Sequence, residues 1–456
     1  MSRIVGSGRD LRSGRGAVVV GVSMALAVVL VPPGAAKASA RALSPTAVST
    51  ESVVSVVSAV SPVSAGCTNL SKLAGWRVGR LARQTIAVPA EETDLGAVTQ
   101  AAKDGYGGLL LFGSSAPANL GQQLTSLRAD VPYNDNLVVM TDEEGGGVQR
   151  MANLVGSIPW ASYMGSHWGT RRITRTAESV GRNMSRNGVN MDLAPVLDVD
   201  GRAVEPGAQD PDGFRSFSGK TSVVSADGVA FMQGMVDGGV VPVVKHFPGL
   251  GGVSQNTDDG PAHTLPWPTL EKVALPPFEA AIKAGAPAVM VSNASVPKFT
   301  ELPASLSPGI VTRELRKDLG FKGLIVTDSL SARAITDPPL SLTVPEAAAD
   351  ALVAGDDLVL YGLSDSTSQD LATAAATTNA IVAAVGDGKL SKTQLVDAVA
   401  QVLAAKKVNL CGGATVSSSV SPAPGPRLHG RSSMPGSAVA GVADRVRLAS
   451  SVGSGR

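Results

Sequence analysis

The sequence predicts an α/β protein built as a single (β/α)8 barrel, one catalytic domain with disordered tails. Three observations carry this expectation. Eight short apolar runs alternate with helix-like stretches across residues 67–411, as parallel strands joined by crossover helices would. The runs are rich in Val, Ile, Leu and Gly without polar alternation, which suits strands covered on both faces. Their carboxyl ends carry most of the unusual polar residues, and a barrel of this kind houses its chemistry there. An open doubly wound sheet is the alternative that the same alternation allows.

Arg3, Arg9, Arg12 and Arg15 precede an apolar run from Ala17 to Val31, then Pro32-Pro33-Gly34 and Ala38-Ser39-Ala40. A charged start, an apolar core and a small-residue cleavage site predict a secretion signal over 1–40. The run falls short of the roughly 20 residues a membrane span needs, so no stable insertion is expected once it is removed. Residues 41–66, mostly Ser, Val, Ala and Thr, read as a linker. Residues 412–456, rich in Ser, Gly, Pro and Arg without apolar period, read as a disordered tail. The expected location is extracellular or cell-wall associated. Ser64-Ala65-Gly66-Cys67 has the look of a lipid-attachment box but lies well downstream of the apolar run, which makes anchoring at Cys67 the less favoured outcome. Cys67 and Cys411 are the two cysteines and bracket the folded part; in an exported protein such a pair more often bridges than stays reduced.

Within 67–411 the strand candidates are 85–88, 108–112, 137–141, 189–196, 240–245, 288–292, 323–327 and 357–361. Helix candidates include 172–187, 222–234, 269–284, 312–319 and 344–354. No second domain is required. With 39 basic and 38 acidic side chains the formal charge is +1, which offers no nucleic-acid footprint. No Cys/His cluster or paired acidic motif has metal-ligand spacing, so neither a metal nor a cofactor is expected. A monomer is expected.

The polar strand ends are specific. Asp142-Glu143-Glu144-Gly145-Gly146 follows the third run, and Asp198 and Asp200 follow the fourth, ahead of an excursion with Asp210, Asp212 and Arg215. Lys245-His246-Phe247-Pro248-Gly249 ends the fifth and Asp328 the seventh. A single acidic strand end could be a helix N-cap, and Asp328 before Ser329 would suit that role; several around one barrel mouth suggest a site. Taken with Gly107-Gly108-Leu109-Leu110-Leu111-Phe112, Val148-Gln149-Arg150, Ala194-Pro195-Val196-Leu197-Asp198, Arg215-Ser216-Phe217 and Thr327-Asp328-Ser329-Leu330, the set resembles glycoside hydrolase family 3. Within that family it is similar to the short, single-barrel β-N-acetylglucosaminidases of bacteria.

The resemblance implies an exo-acting retaining hydrolase that removes terminal β-linked N-acetylglucosamine from cell-wall or chitin-type glycans. A family-3 β-glucosidase or β-xylosidase, or a glycan-binding barrel without turnover, are the alternatives. Asp328 matches the family's nucleophile, a carboxylate able to stabilise and trap an oxocarbenium-like centre. Asp142, Arg150, Arg215, Lys245 and His246 match positions that hold the sugar; for Arg150 and Arg215 a structural salt bridge is the plainer reading. The chain departs from its relatives in the loop after the fifth strand. There they carry Gly-His-Gly and then Asp-x-His as acid/base, whereas here Leu250 replaces the first histidine and no Asp-x-His spacing occurs. Asp258 with His263 is the expected acid/base pair. Asn293 stands where relatives usually carry histidine. Water or phosphate as acceptor stays open at this point.

Overall fold

The computed structural model describes residues 69–411. The expected signal (1–40), linker (41–66) and tail (412–456) lie outside the described residues, as does Cys67; Cys411 is disulfide-bonded.

Eight strands form one parallel sheet: β1 (Ile86–Glu91), β2 (Gly108–Phe112), β3 (Val138–Thr141), β4 (Met191–Asp192), β5 (Val241–Phe247), β6 (Ala288–Val291), β7 (Leu324–Thr327) and β8 (Val359–Leu360). Neighbours pair in chain order, β8 pairs back onto β1, and a parallel bridge between Val326 and Leu358 joins β7 to β8. The sheet is thereby rolled into the expected barrel rather than left open. Every run named from the sequence holds a strand. The fourth is the most shortened, because Pro195 has no N–H to give to a ladder. The chain still runs beside β5, with Val243 N–H donating to Ala194 O (3.1 Å) and Leu197 N–H to Lys245 O (2.6 Å).

Side-chain parity explains the layers. Val138 and Met140, Val241 and Val243, Ala288 and Met290, and Leu324 and Val326 fill the barrel interior with Leu110, Leu193 and Leu360. Intervening residues such as Val139, Val244, Val289 and Ile325 join the larger core between strands and helices. Side chains alternate with a period of two, so the next inward position above those layers is 142, 245 and 328 on β3, β5 and β7. Asp142, Lys245 and Asp328 occupy them.

The helices follow local chemistry. Thr343 and Glu346 close a reciprocal capping box on helix Val344–Ala354, and Gly355, at φ 117°, ends it. The helix expected over 269–284 is divided into Trp267–Val273 and Leu275–Lys283. Pro276 and Pro277 are the reason: neither can donate an i→i−4 bond, and both are tolerated only in a first turn. The stretch expected as an α-helix over 312–319 is a wider-wound π-helix, Gly309–Asp318.

Candidate active site

A cavity of about 620 Å³ opens at the carboxyl ends of the strands. Its floor is Leu110, Leu193, Met290 and Leu360; its walls include Asp142, Glu144, Arg150, Arg215, Lys245, His246, Asp258 and Asp328. Seven of the eight residues singled out from the sequence therefore meet in one pocket. His263 is not among its lining residues.

Asp142 leads into a two-stranded hairpin, Glu143–Gly145 paired with Val148–Gln149. Gly146, at φ 59°, turns it, and a Cβ there would sit about 2.0 Å from the Trp160 ring, so only glycine fits beneath that indole. Glu143 points away from the pocket and staples the hairpin, accepting from Met151 N–H (2.6 Å) and Gln149 Nε2 (2.9 Å). Burial pushes its carboxyl up to about 7 against those bonds. Asp142 and Glu144 flank one cation, Lys245, whose Nζ lies 2.8 Å from Asp142 Oδ1 and 2.6 Å from Glu144 Oε1. Lys245 is 3% exposed. Burial alone would lower its pKa, but the two carboxylates outweigh burial and hold it above the ordinary value.

Arg215 grips Glu144 with a fork, Nε to Oε2 and Nη2 to Oε1, each 2.8 Å, and Nη1 donates to Pro211 O (2.8 Å). Burial of Glu144 would raise its pKa; Arg215 and Lys245 more than offset that and keep it well below the ordinary carboxylate range. Arg150 stands 3.9 Å from Asp142 Oδ2 at the half-exposed rim. Both arginines thus form the ion pairs that the salt-bridge reading expects, and both line the cavity.

His246 joins Lys245 in the pocket because the β5 register shifts between Val244 and Phe247, which interrupts the alternation. Its Nδ1 lies 2.6 Å from Asp198 Oδ2. Asp198 is fully buried, and its other oxygen accepts from the N–H groups of Leu250 (2.7 Å) and His246 (3.2 Å). Burial would raise the Asp198 pKa, but His246 and these bonds bring it below its usual value. A Nδ1–H donated to Asp198 leaves Nε2 to address a ligand.

The loop after β5 is held from several sides. Leu250 packs with Val253, Ala262 and Ala294 into a small apolar cluster. A Cβ on Gly251 would meet Val199 O at about 2.1 Å, so the loop passes where only glycine fits. Asn256 N–H donates to Ala208 O (2.8 Å) and Ala334 N–H to Thr257 O (2.9 Å). Asp258 N–H is received by Asn256 Oδ1 (3.0 Å). Asp258 is exposed at the pocket mouth, yet the walls around its carboxyl and then the negative charge of Asp328 push it up to about 6, desolvation first. His263 lies on the outer arm of the loop, exposed, bridged to Ser295, its Nδ1 3.3 Å from Thr264 O.

Asp328 is half-buried and accepts from Ser329 N–H (2.7 Å), while its own N–H donates to Val291 O (2.9 Å). Asn293 supports that turn from β6. Its Nδ2 donates to Ser329 O (2.7 Å) and its Oδ1 accepts from Ser305 Oγ (2.7 Å). Sequence reasoning marked Glu144 and Asp198 as polar strand-end residues, and Asp212 as part of the excursion after the fourth run, without giving them a part in the site. For Asp198 the signal was present, an acid in a stretch that otherwise packs as core; Asp212 follows a polar, largely exposed stretch that offered none.

Residues 86–405 match the glycosyl hydrolase family 3 N-terminal domain. The chain is 35% identical over 236 residues to beta-hexosaminidase LpqI of Mycobacterium tuberculosis, covering 49% of this chain and 58% of that protein. It is 31% identical over 305 residues to an uncharacterized secreted glycosyl hydrolase of Arthroderma benhamiae, covering 63% and 81%. Among solved structures it resembles a family 3 glycosyl hydrolase from Mycobacterium smegmatis, with TM-score 0.64 and 31% identity over 73% of this chain and 98% of that one. A family 3 beta-N-acetylglucosaminidase from Paenibacillus gives TM-score 0.66 and 28% identity over 76% and 65%. The match thus spans little more than half the length of the LpqI relative, whereas the barrel as a whole is shared. On the match over 86–405 and the shared barrel, the chain belongs to glycosyl hydrolase family 3.

Proposed function

We propose that the chain is an exo-acting, retaining β-N-acetylhexosaminidase exported to act on cell-wall or chitin-type glycans. One observation carries the reading: Asp258 and Asp328 line the same closed-floored cavity, and desolvation, with the charge of Asp328 second, raises the Asp258 carboxyl to about 6. Two carboxyl groups whose environments drive their proton affinities apart can divide acid and nucleophile between them. Asp328 attacks the anomeric carbon as the carboxylate. Asp258, protonated, delivers its proton to the leaving oxygen; as the carboxylate it then takes a proton from the water that releases the sugar. His263, on the outer arm of the loop, is given no proton to move. Lys245, Arg150, Arg215, Asp142 and His246 offer donors and acceptors for sugar hydroxyls, and the apolar floor supports a pocket that accepts a chain end. The similarity to the beta-hexosaminidase LpqI and to the Paenibacillus beta-N-acetylglucosaminidase supports N-acetylhexosamine as the sugar.

The test is release of an aryl aglycone from a β-N-acetylglucosaminide beside the β-glucoside, with wild type and Asp328→Asn. Turnover of the first that drops at least about 1,000-fold in the variant, with sugar binding retained, supports the assignment. A slow fluorinated substrate should leave one glycosyl unit on the Asp328 peptide, seen by mass spectrometry. Saturable binding with no turnover in wild type would make the chain a glycan binder.

A further inference from the structure

Behind the pocket wall lies a group that the proposed chemistry does not use. Asp212 is fully buried, and neither of its carboxylate oxygens meets an N–H or O–H donor. Asp198, Asp212 and His246 place one oxygen or nitrogen each within 4.8 Å of one another. The group nearest in kind is Asp198, itself fully buried and already engaged by His246 Nδ1 at 2.6 Å. Two buried carboxylates facing each other without a donor between them repel, and each would forgo its solvation.

Two arrangements relieve this. A cation could sit among the three side chains, or a proton could lie between the two carboxyls. The 2.6 Å separation of His246 Nδ1 and Asp198 Oδ2 is a hydrogen-bond length. Ligands at about 2.1 Å from one tetrahedral ion stand roughly 3.4 Å apart. The geometry therefore favours the proton.

We propose that Asp212 is a neutral carboxylic acid that donates its proton to Asp198, and that it is a positioning residue for His246. The chain Asp212 O–H to Asp198 carboxylate to His246 Nδ1–H gives the trio one negative charge. It locks the imidazole with Nε2 toward the cavity. The charged groups that face Asp212 are Asp198 and Asp200 from the segment after β4, Arg215 from its own turn and His246 from β5; burial and the two aspartates favour the protonated form, Arg215 the ionised one. The role assigned to His246 rests on the glycosidase reading, whereas the proton on Asp212 does not.

The experiment has one arm for each. In the first, full-length protein carrying carbonyl-labelled aspartate is compared with Asp212→Asn by difference infrared spectroscopy at neutral pH. The wild type should show a protonated carboxylic C=O stretch that the variant lacks. No such band overturns the proposal, whether or not the protein turns over sugar. In the second, kcat/KM is measured with an aryl β-N-acetylglucosaminide whose leaving group departs without a proton, so that Asp258 does not set the pH profile. Asp212→Asn keeps a neutral donor to Asp198 and should stay within about 3-fold of wild type, while Asp212→Ala should fall by more than about 10-fold with the fold intact. The high-pH fall of the wild type should be missing in Asp212→Asn. Equal loss in both variants overturns the positioning role. Loss of wild-type activity on chelation, restored by a divalent cation, overturns the proton in favour of an ion. A wild type with the infrared band but no turnover would remove the glycosidase reading and leave the proton in place.

Discussion

Replacing Asp258 with asparagine removes a carboxyl that shares the cavity with Asp328 and keeps its size. Its proton affinity is the reason the perturbation is informative. At its ordinary value of 3.8, only about 0.06% of the group would be protonated at pH 7; at about 6 the share is about 9%, a gain of roughly 140-fold in competent acid. Desolvation and the Asp328 charge together supply that factor. Because the raised group is the acid form, glycosylation should be fastest below pH about 6 and fall about tenfold per unit above it. The assay is kcat/KM against pH for a disaccharide and for an activated aryl glycoside. Asp258→Asn should lower kcat/KM for the disaccharide by about 100- to 10,000-fold and abolish the limb near pH 6. For the aryl glycoside it should lower kcat/KM by less than about 10-fold, since no proton is needed, while kcat falls because water loses its base. Azide should restore kcat. If both substrates lose equally, or if the limb near pH 6 persists in the variant, Asp258 is not the acid.

Other outcomes follow from the same charges. Arg215→Ala leaves Glu144, which is 4% exposed, with Lys245 alone, and should cost about 3–5 kcal/mol of stability, read as a lower Tm. Glu144 is depressed in the folded state, so its stabilisation is present above its ordinary value of 4.5 and is lost as pH falls below it; Glu144→Gln should flatten the acid limb of a Tm–pH curve there. Lys406, buried against Gln84 Oε1 at 2.7 Å, is lowered to about 7 by burial, so the unfolded chain holds the extra proton between there and 10.5. Wild-type stability should therefore gain from rising pH across that window relative to Lys406→Met, by calorimetry. The acceptor enters when Asp328 is tied up in the glycosyl ester and Asp258 has given up its proton, and the Asp258 carboxylate repels an anion. Added phosphate should thus leave free sugar, not sugar phosphate, as the product.

Much of the barrel was legible because each part of it is a local property. Apolar runs of four to eight residues bounded by turn signals read as covered strands, and the two-residue period carries Asp142, Lys245 and Asp328 to the inward position above the packed layers. The division of the helix at Pro276 and Pro277 was equally local and could have been read from proline's missing N–H.

The loop after β5 was decided elsewhere. Nothing between Leu250 and Pro266 says which acid turns inward; that depends on Asn256 meeting Ala208, on Thr257 meeting Ala334, and on Leu250 packing against Val253, Ala262 and Ala294. These contacts bring Asp258 to the cavity and leave His263 on the outer arm. The partnership of Glu144 with Arg215, 71 residues apart, and of Asp198 with His246, 48 apart, is tertiary in the same way. The sequence by itself thus determined the barrel, its strand ends and the inward position of Asp328, since pleat and hydrophobic burial act over a few residues. Only the tertiary structure decided which charges neutralise one another and which acid faces Asp328, because Coulomb interactions and desolvation depend on distances through space that chain order does not contain.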